Sequence, residues 1–329
     1  MKTTKTPKKA VSRLPEISVV IPVFNEQETL DPLVERLVAV LSRITKRYQI
    51  VFVNDGSRDK TLELLLQHAA TNTNLCVIDF SRNFGHQTAV AAGLTYATGD
   101  AVMVMDGDLQ DPPELIPDFV QKWREGYEVV YAVRAERKEN IFKRTAYKMF
   151  YRALHALADI DIPLDSGDFG LMDRRVVAVI NRMPERNRFV RGLRSWVGFR
   201  QTGLPYNRDA RFAGDSKYSL AKLMKLAFDG LLSFSTAPLK IATAIGFIVS
   251  FFSFIGILFY LYLFFTTPRV PGFTTLIIIL LFIGGVQLIT VGILGEYVGR
   301  IYDESKHRPM FVVRETINVQ RDSEPIHGK

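Results

Sequence analysis

The sequence predicts an α/β domain with a mostly parallel sheet, followed by a two-helix hairpin long enough to cross a membrane. Three observations carry this. Up to residue 105, short apolar runs alternate with helical periodicity at about thirty-residue spacing, the pattern of βα units. Polar clusters stand directly after those runs, where open parallel sheets bind their ligands. From residue 241 to 295 the only charged side chain is Arg269. The bulk composition, 47% hydrophobic and 23% charged, is the average of two unlike regions.

Residues 1–15 carry Lys2, Lys5, Lys8, Lys9 and Arg13 without an apolar core of signal-peptide length, and read as a disordered basic arm. Residues 17–21 (ISVVI) form the first buried strand, broken by Pro22 and followed by Phe24, Asn25 and Glu26. Leucines and valines at helical spacing predict a helix over 29–44. A second strand over 50–53 ends in Asn54-Asp55-Gly56-Ser57, and a second helix runs from 61 to about 70. Residues 75–80 give a third strand, and Arg82-Asn83-Phe84-Gly85 leads into a small-residue helix over 87–97. The single cysteine, Cys76, falls in that strand, which excludes a disulfide within one chain and points to a reducing, cytoplasmic setting.

The chain is organised around AVMVMDGDLQDPPE at 101–114. An apolar strand stops at Asp106-Gly107-Asp108-Leu109-Gln110, and Pro112-Pro113 opens a helix near Glu114. If the extended path continues, Asp106, Asp108 and Gln110 point to one side. Two carboxylates and an amide oxygen are a hard-oxygen set suited to Mg²⁺ or Mn²⁺ against a diphosphate. Each polar cluster alone is more often a turn or a helix cap; consecutive clusters after strands one, two and four shift the balance towards a nucleotide site. There is no G-x-x-x-x-G-K-S/T loop and no G-x-G-x-x-G after a strand, which argues against a P-loop NTPase and a dinucleotide oxidoreductase.

The strings VVIPVFNE, VFVNDGSRDKT, SRNFGHQTAVAAGL and MDGDLQDPPE, in this order, resemble the family 2 glycosyltransferases of GT-A fold. Within them, the likeness is to the polyprenyl-phosphate sugar synthases, namely the dolichyl-phosphate mannose synthases and bacterial undecaprenyl-phosphate glucosyltransferases. It implies a GT-A domain over 16–218 in which Pro22, Phe24, Glu26 and Asp55 line the nucleoside pocket. Asp106, Asp108 and Gln110 would serve the metal and diphosphate. The segment DSGDFGLMDR at 165–174 resembles the family's acceptor-side string, with Gly170 where arginine is common. Asp168 is the acid expected at the reacting centre, a turn or capping aspartate being the alternative. RDARFAGDSKY at 208–218 resembles R-x-x-R-x-x-G-x-S-K-Y, placing Arg211, Ser216 and Lys217 at donor or acceptor phosphates.

The net charge of +8 suggests an anionic partner. One basic group spans Arg134 to Arg152, including Arg137, Lys143, Arg144 and Lys148; a second runs from Arg186 through Arg191, Arg194 and Arg200 to Lys217. A nucleic-acid groove interleaves such residues with aromatics, here Phe189, Trp196 and Phe199. Phosphate binding at a membrane surface is favoured over nucleic acid because the second group runs straight into the apolar segments. The resemblance assigns Arg134 and Arg144 to the acceptor phosphate.

Leu220, Leu223, Met224, Ala227, Phe228 and Leu231 predict an amphipathic interface helix over 219–236. Two transmembrane helices follow within 240–299, at about 241–265 and 273–297, each exceeding the ~20 residues that span a bilayer core. Lys217, Lys222, Lys225 and Lys240 before the hairpin, and Arg300, Lys306 and Arg308 after it, put both termini and the 300–329 tail on the cytoplasmic face of the inner membrane. Residues 311–313 are expected to form a strand at a subunit contact, in a homo-oligomer.

The sequence therefore reads as a membrane-anchored, metal-dependent, inverting transferase moving a hexose from a nucleotide sugar to polyprenyl phosphate. UDP-glucose is the expected donor, with GDP-mannose as the alternative. A membrane-tethered anion-binding scaffold would account for the basic groups, but has no need of acids after strands two and four.

Overall fold

A computed structural model of the chain describes residues 15–134, 166–185, 188–206, 237–266 and 272–319. The basic arm up to residue 14, the 219–236 segment, Arg144, Arg211, Ser216 and Lys217 lie outside the described residues.

Among the described residues, β1 (Ile17–Val23), β2 (Tyr48–Asn54), β3 (Leu75–Phe80) and β4 (Ala101–Val104) are buried along their whole length. Strands covered on both faces need continuous apolar runs, which is why these four were readable in the sequence. Between them lie α1 (Leu30–Ile44), α2 (Thr61–Thr71) and α3 (His86–Tyr96), and α4 (Ile116–Arg124) follows β4. In α1, Leu30, Leu33, Val34, Leu37 and Leu41 fall on one stripe and are buried against the sheet. Helix α3 packs so closely on β1 that a Cβ built on Gly93 would lie 2.1 Å from Val20 Cγ1. Only glycine fits there.

Three further strands lie beyond β4 in the sheet: β5 (Val129–Arg134), an apolar run that sequence reasoning did not single out, and β6 (Ser166–Asp173) and β7 (Gln201–Tyr206), which carry no continuous apolar signal. Two short helices, α5 (Arg174–Arg182) and α6 (Val190–Trp196), connect β6 to β7. A last strand, β8 (Val313–Ile317), completes an eight-stranded sheet of order β7-β5-β6-β4-β1-β2-β3-β8. β1 pairs parallel with both β2 and β4, while β6 and β8 run antiparallel to their neighbours. The sequential order therefore reverses at β1, and the crevice outside the carboxyl ends of β1, β2 and β4 is the expected ligand site.

The strand expected at 311–313 lies two residues later, as β8, and pairs with β3 of its own chain, Val77 opposite Ile317 and Phe80 opposite Val313. Phe311 stacks on buried Phe80 at 5.3 Å, and Arg314 reaches the buried Asp79 carboxylate at 3.2 Å. Asn318, in the left-handed region, donates to the carbonyls of Ala69 and Leu75. The segment read as a tail is thus part of the sheet unit.

A separate unit contains α7 (Ala237–Thr266) and α8 (Phe273–Ser305), which touch each other. Both are long and apolar enough to cross a membrane, and their apolar side chains, among them Phe247, Phe252, Phe265, Leu280 and Ile289, are exposed. They extend beyond the expected 241–265 and 273–297 by a few residues at three of their four ends.

Candidate active site

The loops after β1 and β2 are laced together. Asn25, held at φ 55°, takes a hydrogen bond on its side chain from Arg58 N at 2.8 Å, and its own N–H donates to Ser57 Oγ at 3.0 Å. Glu26 N donates to Thr61 Oγ1 at 2.9 Å, and Asp55 N to the carbonyl of Val23 at 2.9 Å. Glu26 and Asp55 are therefore tied into one rim at the ends of β1 and β2, with Pro22 near the end of β1, opposite Val53, and Phe24 directly after the strand.

Asp55 itself is buried, and its two oxygens accept from Phe84 N at 2.6 Å and Gly85 N at 3.0 Å. Burial pushes its carboxyl up from the ordinary value, while these backbone donors and the charges of His86 and Arg82 oppose the rise. The residue that resemblance places against the nucleoside thus also anchors the loop leading into α3. Gly85, at φ 99°, is a conformation that a side chain would strain.

The anchored loop delivers His86 and Gln87 to the acids after β4 and within β6. His86 Nε2 lies 3.5 Å from Asp106 and 3.6 Å from Asp168. Gln87 Nε2 donates to Asp168 Oδ2 at 3.0 Å, and Gln87 Oε1 accepts from Val190 N at 3.0 Å. Arg191 Nε approaches the other Asp168 oxygen at 3.5 Å. Arg194, 2% exposed, donates to the carbonyl of Gly167 at 3.2 Å. A Cβ on Gly170 would sit 2.8 Å from the Val130 carbonyl and 3.0 Å from Arg194 Nη1, so the guanidinium of Arg194 occupies space that a side chain at 170 would need.

The electrostatics divide the two acids. Burial, joined by the charges of Asp111, Asp168 and Asp108, raises the pKa of Asp106 to about 7 against the opposing pull of His86. Burial also works against ionisation of Asp168, but Arg191, His86, Arg194 and the Gln87 hydrogen bond outweigh it and hold its carboxyl below the ordinary value. Its cationic neighbours thus favour the charged form of Asp168, whereas Asp106 is the acid whose ionisation an added cation would favour.

The extended path that was to align Asp106, Asp108 and Gln110 ends at Val104. The chain then turns, with Leu109 at φ 60° and Gln110 N donating to Asp108 Oδ1 at 3.2 Å. Strand alternation therefore does not set the directions of these three side chains; a turn does. Among the described residues, no three His, Cys, Asp or Glu side chains are grouped closely enough to hold a metal ion by themselves. Two carboxylates plus an amide oxygen fit a divalent ion that takes the rest of its coordination from a bound diphosphate or water.

Sequence reasoning did not single out His86, Gln87 or Asp111. Asp111 is buried and accepts from Tyr206 Oη at 2.7 Å, tying the 106–111 turn to the end of β7. The signal for His86 and Gln87 was their place at the start of a helix after a polar strand end. Arg134 is the last residue of β5.

The chain is similar to known proteins over most of its length. Residues 18–180 match the model for Glycosyl transferase family 2. The chain is 48% identical over 312 residues to an uncharacterized glycosyltransferase, YkcC, of Bacillus subtilis, covering 94% of this chain and 97% of that protein. It is 43% identical to the bactoprenol glucosyl transferase of Shigella phage SfV, over 91% of this chain and 98% of that one. Among solved structures it is similar to glucosyl-3-phosphoglycerate synthase from Mycobacterium tuberculosis in complex with Mn²⁺, UDP and phosphoglyceric acid. That match has a TM-score of 0.46 and 19% identity, over 67% of this chain and 78% of the other. With near-identity of length and over 40% identity to several of its members, the chain belongs to glycosyltransferase family 2 and is a glycosyltransferase.

Proposed function

We propose that this enzyme transfers a hexose, glucose from UDP-glucose, to polyprenyl phosphate at the cytoplasmic face of the inner membrane. The observation that carries this is the end-to-end similarity to bactoprenol glucosyl transferases, at 41–43% identity for those of phages SfV and SfX.

The donor's nucleoside lies against the rim of Pro22, Phe24, Glu26 and Asp55. Asp106, Asp108 and Gln110 would hold Mg²⁺ or Mn²⁺, which would supply positive charge against the diphosphate leaving group. Arg211, Ser216 and Lys217 add charge-assisted contacts to phosphate oxygens, and Arg134 and Arg144 hold the acceptor phosphate. A phosphate monoester has a second pKa near ~6, so the acceptor is already a dianion at neutral pH. It attacks the anomeric carbon from the face opposite the leaving group, in one displacement with inversion, and no base is required. Asp168, its charged form favoured by Arg191, His86 and Arg194, serves to hold Arg191 and His86 in place around the reacting centre.

The two long helices have a purpose in this reading. A polyprenyl tail cannot leave the bilayer cheaply, at about 0.8 kcal/mol for each buried methylene, so the enzyme must work where the phosphate surfaces. Helices α7 and α8 as a hairpin keep it there, with both termini cytoplasmic.

The test is transfer of labelled sugar to undecaprenyl phosphate by the purified full chain in detergent, with UDP-glucose and GDP-mannose offered separately. Label from UDP-glucose in the lipid extract, lost on adding EDTA and regained with excess Mg²⁺ or Mn²⁺, is the expected result. Label only from GDP-mannose replaces the donor. Label resistant to EDTA removes the metal, and no label from any of a panel of nucleotide sugars overturns the reading.

A further inference from the structure

We propose that Gln87 is a positioning residue that sets the Asp168 carboxylate at the reacting centre, as the end of a rigid bridge running from Asp55. This deepens the glycosyl-transfer reading and rests on it.

Among the described residues, three side chains face the Asp168 carboxylate within 3.6 Å, yet only the amide of Gln87 makes a hydrogen bond of ordinary length to it. Asp168 Oδ1 and Arg191 Nε are both buried and face each other at 3.5 Å without a formed hydrogen bond. Coulomb attraction at that distance holds the charges together but does not orient them. Orientation comes from Gln87, whose amide cannot rotate: its oxygen is committed to Val190 N at 3.0 Å, which turns its NH₂ towards Asp168.

Gln87 is itself placed from the other side of the site. The two residues before His86 are pinned by both oxygens of Asp55, at 2.6 and 3.0 Å. The bridge therefore runs from Asp55 after β2, through Phe84 and Gly85, to Gln87, and thence to Asp168 in β6 and Val190 at the start of α6. It joins the nucleoside rim to the acid at the reacting centre through four consecutive residues, 84–87.

The geometry permits a charge-swap test. With Gln87→Glu alone, two carboxylates are forced together where the amide stood. With Gln87→Glu and Asp168→Asn combined, both hydrogen bonds return. The introduced amide then donates to one oxygen of the introduced carboxylate and Val190 N to the other, while the negative charge moves from position 168 to position 87. Gln87→Met removes both bonds and adds no charge. The full chain would be purified in detergent for each variant, with kcat, donor KM and melting temperature measured for UDP-glucose and undecaprenyl phosphate.

Gln87→Met is expected to lower kcat by about 10- to 100-fold, the loss that a misplacement approaching 1 Å causes. Its donor KM should stay within about two-fold, because Asp55 still anchors residues 84 and 85. The double variant should regain the melting temperature that Gln87→Glu loses, and not regain kcat. A Gln87→Met enzyme of wild-type kcat overturns the proposal. So does a double variant in which kcat returns along with stability, for then Gln87 is a brace and the carboxylate's position is immaterial. Wild-type protein without transfer activity counts against the glycosyl-transfer reading alone. In that event coupling of 87 and 168 in the melting temperatures supports the bridge, and its absence overturns it.

Discussion

Asp108→Asn is expected to reduce sugar transfer by at least about 1000-fold, the upper range for losing one preorganised electrostatic contact to a leaving group. The substitution is nearly isosteric. Asp108 is buried, and its Oδ1 accepts from Gln110 N, a bond that an asparagine oxygen makes equally well. The 106–111 turn therefore keeps its shape, held besides by Asp111 and Tyr206. What is lost is one negative charge from a set of two carboxylates and an amide, and hence most of the attraction for a divalent cation. The measurement is the initial rate of label transfer at saturating Mg²⁺ and Mn²⁺, beside a circular dichroism spectrum that reports the fold. Asp168→Asn is the comparison, and it should retain measurable activity, since its role is to orient. If the Asp108 variant turns over at the wild-type rate with metal present, the metal assignment falls.

Ending the chain at Met310 is expected to lower the melting temperature by about 6–12 °C, from a loss of about 3 kcal/mol at about 2–4 °C for each kcal/mol in a domain of this size. The strand that this removes looks dispensable in the sequence, but it closes the edge of the sheet at β3. Its loss leaves the buried Asp79 carboxylate with the amide of Asn54 at 2.7 Å and without the Arg314 guanidinium. Under-satisfying a buried charged group costs about 1–3 kcal/mol. Removing Phe311 from the face of Phe80 costs about 1 kcal/mol more, beyond the area uncovered. These two terms and the lost ladder make up the loss. Thermal unfolding of the full and shortened chains, in the same detergent, checks it. Equal melting temperatures would mean that β8 contributes nothing to holding the sheet.

The parts of this protein visible in its sequence are those whose burial is local. β1 to β4 are covered on both faces, so each must be a continuous apolar run, and α1 writes its buried stripe at helical spacing. The two long apolar helices are legible for a different reason, since nothing but length and hydrophobicity is needed to mark them. β6 was legible only as a motif: SGDFGLMD has two glycines and two aspartates in eight residues, and glycine inside a strand weakens the pattern that identifies it. β7 escaped because QTGLPY holds a glycine and a proline and only two apolar residues, whereas the VVYAV run of β5 was legible and was passed over because no polar cluster of the motif kind closes it.

By itself, then, the sequence determined the order of the βα units, the acids after β2 and β4 and the presence of two long apolar helices. Periodicity records which face of each element leaves water, and polar clusters record where each element stops. Only the tertiary structure decided which of those clusters meet. Gln87 and Asp168 stand 81 positions apart, Asp55 and Gly85 30 apart, and Arg314 and Asp79 235 apart. No local spacing connects such pairs, because their meeting depends on the strand order 8-3-2-1-4-6. The physical reason is that burial is a property of each residue along the chain, whereas a hydrogen bond is a property of two residues, and the sheet's crossovers choose the second.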